Sequence, residues 1–180
     1  MKWLLILIFS LFPIFSYSQS DSTYIEIDTS SVHINYAFIG FILDEFVDDA
    51  IEQGLDSLTV VKHIRMLDGI YMSLLDNKLG VTMCKEDSLS PNGIRGLILI
   101  DTRLFMSYSM LKLTVYHELG HWFGLEHRNG IMRKDSKKAY LILYKWDKSV
   151  KRLMKKIKRK GYSYPKLKQN ENGIQFHIRL

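Results

Sequence analysis

Cysteine is nearly absent, with Cys84 alone in a chain of 180 residues. That excludes an intramolecular disulfide and any zinc cage built from thiolates, so stability must come from the core and from whatever else the chain binds. A single unpaired cysteine reads as a small buried hydrophobe, with a reactive thiol as the alternative. Long apolar runs are also missing: the one from Trp3 to Phe15 is short for a membrane span and is interrupted by Pro13. There is no internal repeat, no low-complexity tract and no nucleic-acid-binding motif, which leaves one compact domain and sets nucleic-acid recognition aside. What is present is an ordinary globular balance, 47% hydrophobic and 24% charged, with a net charge of +6.

The opening residues, MKWLLILIFSLFPIFSYSQS, have a lysine, an apolar stretch and a small-x-small ending at Ser16-Tyr17-Ser18. That is the layout of a signal peptide over residues 1–18, and it implies a secreted or periplasmic protein that starts near Gln19 and keeps no stable membrane span after cleavage. Residues 19–35 read as a short polar leader with one alternating patch, Tyr24-Ile25-Glu26-Ile27. Residues 36–180 carry the domain itself.

Within that domain Phe38, Ile42, Phe46, Val47, Ala50 and Ile51 follow helical spacing, predicting a helix over about 36–53 that stops at Gly54. The stretches 58-LTVVKHIRML-67, 70-IYMSLL-75, 79-LGVTMC-84 and 94-IRGLILID-101 are rich in β-branched and apolar residues and read as strands. A second helix is predicted over 110-MLKLTVYHELGHWFG-124, and a third, long and basic, over 136–161, with Leu143, Trp146, Val150, Leu153 and Ile157 forming one apolar stripe. Residues 162–180 contain Asn-Gly between two partly alternating segments and read as a terminal hairpin, with Pro165 weakening its first strand.

The segment 117-HELGHWFGLEH-127 holds three of the six histidines. Residues i and i+4 of a helix project from one face, so His117 and His121 aim at the same point. Gly124 permits the left-handed turn that ends a helix, and such a turn swings His127 back toward the other two. Three neutral imidazoles converging on a point suit Zn2+, and three protein ligands leave one tetrahedral position open, as in catalytic sites. Glu118 adjoins the first ligand but is not spaced as one, which makes it the candidate acid-base group.

Those eleven residues, with the pattern H-E-x-x-H-x-x-G-x-x-H, resemble the zinc-binding signature of the metzincin clan of metallopeptidases. The clan also places a methionine-containing turn shortly after the third histidine, and 129-NGIMR-133 offers Met132 there. The resemblance implies an α+β domain: a mixed twisted β-sheet with a backing helix, an active-site helix and a C-terminal helix. It implies that Gly124 and Met132 support the site and that Met132 forms an apolar floor without ligating zinc. It further implies a protein or peptide substrate, hydrolysed by a water that Glu118 activates, and by order it makes 94–101 the edge strand along which the substrate lies. Arg128, after the third histidine, matches none of the matrixins, adamalysins, astacins or serralysins, no tyrosine follows Met132 closely, and no propeptide cysteine motif exists. The family within the clan is therefore open.

Between Arg133 and Lys168 fifteen Lys or Arg face two acidic residues. A solvated helix face accounts for them, and attraction of residues 133–168 to an anionic surface or an acidic substrate is the sharper alternative. The expectation as a whole is an exported zinc endopeptidase. Its rivals are a non-proteolytic zinc hydrolase, amidase-like, and an inactive metal-stabilised binding module, against which the presence of Glu118 argues.

Overall fold

The computed structural model describes residues 33–34, 37–90, 93–134 and 136–163. The signal peptide read at 1–18, the strand patch at 24–27 and nearly all of the hairpin read at 162–180 lie outside them. Among the described residues no helix is long and apolar enough to cross a membrane.

The domain is α+β. Strand β1 (His33–Ile34) is followed by helices α1 (Ala37–Glu52) and α2 (Ser57–Ile64), strands β2 (Leu67–Ser73), β3 (Gly80–Glu86) and β4 (Ile94–Asp101), then helices α3 (Tyr108–Trp122), α4 (Ala139–Tyr144) and α5 (Trp146–Lys160). The sheet order is β1-β2-β4-β3, with β1, β2 and β4 parallel and β3 antiparallel to β4. Chain direction explains the mixture. The crossover from β1 to β2 runs through α1 and α2, as parallel neighbours require, whereas β3 and β4 are joined by a short turn. The link from β2 to β3 passes across the end of β4, where the buried Asp101 carboxylate accepts from the Leu75 amide at 3.0 Å and the Asp101 amide donates to the Leu79 carbonyl at 2.8 Å. Arg103 closes on the same carboxylate at 2.7 Å and holds it well below the usual range, at about 2.

One face of the sheet buries Gly96, Ile98, Ile100, Thr82 and Cys84. Helix α3 packs on that face so closely that a Cβ on Gly96 would lie 2.2 Å from the Trp122 ring. The other side of α3 meets α1, where Phe46 packs edge-on against Tyr116 with ring centroids 5.1 Å apart. Behind the helix, α5 buries Val150, Leu153, Met154 and Ile157 in the same core. Cys84 is part of it, and burial pushes its thiol up to about 12.

Three expectations are corrected. Residues 58–67 are not a strand: α2 occupies Ser57–Ile64 and β2 begins at Leu67. The Asp56 side chain accepts from the Thr59 amide at 2.7 Å, and Val60, His63 and Ile64 bury one helical face, so cap and burial outweigh the β-branched composition. The helix read over 136–161 is broken at Lys145, and the break separates α4 from α5 at the point where the Trp146 ring packs 4.9 Å from Tyr116. Finally, β4 lies inside the sheet, between β2 and β3, so the strand 94–101 is not the edge. The edge next to α3 is β3. The reason is the hairpin, in which β3 folds back beyond β4 in the antiparallel sense.

Candidate metal centre

The site forms where α3 stops. His117 and His121 leave the last two turns of α3, and Gly124 ends it in the left-handed conformation, φ 74°. The Leu125 amide reaches the Gly120 carbonyl at 2.9 Å and the Gly124 amide the His121 carbonyl at 2.8 Å, the paired bonds of a Schellman stop. The reversed chain brings His127 back. Its Nε2 lies 3.2 Å from Nε2 of His117 and 3.1 Å from Nε2 of His121, and the latter two are 3.1 Å apart.

The tautomers follow from the partners on the other ring nitrogens. His117 Nδ1 donates to the Ile131 carbonyl at 2.6 Å and His121 Nδ1 to the Leu125 carbonyl at 2.7 Å, since a carbonyl can only accept. Their Nε2 atoms therefore present lone pairs to the shared centre, the orientation that metal-ligating histidines take from such backbone bonds. Lone pairs that close repel one another unless a cation lies between them. Tetrahedral ligands at the usual Zn–N length are separated by about 3.3 Å, close to the observed triangle. His117, His121 and His127 can thus hold a metal ion. Burial lowers the His117 pKa to about 4, against the opposing Ile131 bond, and burial followed by nearby Lys134 lowers that of His127. Both effects favour the neutral rings that ligation needs.

The methionine turn is a short 3₁₀ turn, Gly130–Met132, closed by the Arg128 amide on the Met132 carbonyl at 2.6 Å. Met132 is buried against α3 at the glycine between the two helical histidines: a Cβ on Gly120 would lie 2.2 Å from its sulfur. The neighbouring Ile131 carbonyl is the one that orients His117. One turn thus fills the space beneath the helix and fixes a ring.

Glu118 lies on the sheet side of α3 and is almost wholly buried. Thr82 Oγ1 of β3 is 2.7 Å from its carboxylate Oε2 and 2.9 Å from its backbone carbonyl. Burial pushes the Glu118 carboxyl up to about 7, while the Thr82 bonds and the charge of Lys78 act in the opposite sense. A Cβ at Gly80 would lie 2.7 Å from Glu118 Cγ and Oε1, so the edge strand approaches the carboxylate only because position 80 has no side chain. Gly80 and Thr82 were not among the candidates from sequence. A glycine inside the strand pattern 79-LGVTMC-84 was the available signal, but its partner becomes visible only when β3 and α3 are packed together.

No protein-family model, curated protein or solved structure matches this chain.

Proposed function

We propose that the chain is an exported zinc-dependent endopeptidase of metzincin type. The observation that supports this reading most is the triangle of Nε2 atoms 3.1–3.2 Å apart, with the residue after the first histidine a buried carboxyl raised toward neutrality. A zinc ion bound there supplies a Lewis acid that polarises the scissile carbonyl and brings the pKa of a water to about 7.

The rest falls to the chain's own groups. Burial makes the Glu118 carboxyl readier to hold a proton than an exposed one, so it accepts one from the attacking water and returns it to the leaving amine. Thr82 anchors the carboxylate during both transfers. The Ile131 and Leu125 carbonyls keep His117 and His121 in the ligating tautomer. Strand β3, not β4, receives the substrate: one row of its backbone groups faces away from β4, and an extended peptide can add there as a further strand.

The test is a mass-spectrometric cleavage profile of the purified mature protein on a peptide library, with and without chelator, beside Glu118→Gln. The expected result is about one zinc per chain, chelator-sensitive cleavage, and a Gln variant that keeps zinc but is inactive. A zinc-loaded protein that cleaves no peptide yet hydrolyses simple amides would replace this reading with the amidase-like one.

A further inference from the structure

Helix α5 separates its two faces sharply. Leu153, Met154 and Ile157 are buried, while Arg152 and Arg159 are exposed and Lys156 half-buried between them. Steps of four and three residues put these three cations on one stripe. The stripe abuts the loop that leaves the metal centre: Lys156 Nζ donates to the Asn129 carbonyl at 3.0 Å, two residues beyond His127. Desolvation there is joined by the like charges of Arg128, Arg159 and Arg152, all lowering the lysine's pKa. Four cations are therefore close to one another beside the candidate site, and the exposed Lys148, Lys151, Lys155, Lys158 and Lys160 extend the positive charge over the rest of the helix face.

Nothing among the described residues neutralises them. Arg128, Arg152, Lys156 and Arg159 form no ion pair there, and exposed Glu126, the nearest acid in sequence, makes none either. The acidic residues Asp44, Glu45, Asp48, Asp49 and Glu52 are carried by α1, where Glu45 pairs with Lys112 of α3. Like charges at i and i+4 destabilise a helix, and no ion pair among the described residues offsets that penalty here. The cluster is also rigidly placed, because the opposite face of α5 packs against the helix that carries the histidines: Leu153 comes within 3.4 Å of a Cβ built on Gly120, beside Met132.

We propose that Arg128, Arg152, Lys156 and Arg159 form a subsite for an acidic polypeptide segment, at a fixed distance from the metal centre. As a substrate subsite it rests on the endopeptidase reading; as a binding site it does not. An anionic membrane fits less well, since the large exposed apolar side chains, among them Phe41, Leu89, Phe105 and Tyr144, lie on other elements and none is on α5 or the 128–134 loop. The same lack of an exposed aromatic platform disfavours single-stranded nucleic acid.

The experiment uses zinc-loaded mature Glu118→Gln protein and two fluorescent twelve-residue peptides, one carrying four Glu and its counterpart carrying four Gln. By anisotropy the Glu peptide should bind at least about tenfold tighter, and the advantage should shrink steeply between 50 and 300 mM salt. Arg152→Glu/Arg159→Glu, both at exposed positions, should abolish the preference without changing zinc content or lowering Tm. In the cleavage profile of the active protein, acidic residues should be enriched at a constant offset from the cut, and the double variant should lose that enrichment while cutting neutral peptides as well as the parent. Equal binding of both peptides, or a preference untouched by the double reversal, overturns the proposal. Tighter retention on phosphatidylserine vesicles than on the Glu peptide overturns it in favour of a membrane. Cluster-dependent binding in a protein that cleaves nothing overturns the endopeptidase reading and leaves the acid-binding site standing.

Discussion

His63 and His117 occupy different regions but share one electrostatic property: burial lowers each imidazole's pKa to about 4. Their hydrogen bonds separate them. His63 Nε2 donates to the Trp122 carbonyl at 3.1 Å, its own carbonyl accepts from Trp122 Nε1 at 2.8 Å, and its ring stacks on Phe123 at 4.3 Å, so the polar edge is used to tie α2 to the end of α3. His117 instead donates through Nδ1 to Ile131 and turns Nε2 toward two other imidazoles. A depressed pKa marks burial in both places. The direction of the lone pair is what distinguishes a fastening in the core from a ligand.

The largest effect should come from the carboxylate that belongs to the ligand region alone. Glu118→Gln should lower kcat/KM by about 10²- to 10⁴-fold, the usual contribution of a positioned acid-base group, and retain about one zinc. Elemental analysis alongside steady-state kinetics measures both, and wild-type turnover would reject the assignment of Glu118.

Next in size is a direct exchange between the two regions. His117→Ala should abolish tight zinc binding and with it the ligand-linked stability, about 4 kcal/mol when free zinc is a thousand times its Kd. His63→Ala should keep the zinc and lose about 2–4 kcal/mol of stability in both the presence and absence of metal, through a cavity and the loss of the ring's hydrogen bond to the Trp122 carbonyl. Denaturant melts with and without zinc separate the two outcomes. Zinc loss in the His63 variant would erase the distinction.

Acid should then act on the regions differently. His63 is neutral in the folded protein and has its ordinary pKa near 6.5 when unfolded, so the unfolded chain binds more protons between those values. Stability is complete above about pH 6.5, falls by roughly 3 kcal/mol as the pH drops toward 4, and levels off below that. His63→Phe should flatten this dependence, whereas the metal centre should report acid as zinc release, since protonation competes for its ligands. Melts of the zinc-loaded protein from pH 7 to 4 with a free-zinc indicator would show it, and an unchanged slope in the Phe variant would remove His63 from the account.

The smallest change is expected at the turn beneath the histidines. Met132→Leu conserves volume and should cost at most about 1.5 kcal/mol while leaving zinc bound. Met132→Asp, which buries a carboxylate against Gly120, should do far more harm. Equal stability of the two variants would show that the turn does not pack as described.

By itself the sequence determined what depends on local geometry. Spacings of four and six around Gly124 were enough to bring His117, His121 and His127 together, because a helical turn and a left-handed stop have the same dimensions in any fold. Helix α1 was equally legible from its apolar periodicity. Helix α2 was not, since Val60 and Val61 favour a strand on composition and only the cap at Asp56 and the buried face at Val60, His63 and Ile64 decide otherwise. The identity of the edge strand, the seat of Glu118 on Thr82 against Gly80, and the contact of Lys156 with the Asn129 carbonyl were decided by tertiary structure alone. Each depends on which elements become neighbours. That is set by how the faces of α1, α3, α5 and the sheet pack into one core, and residues far apart in the chain carry no spacing from which such a meeting can be read.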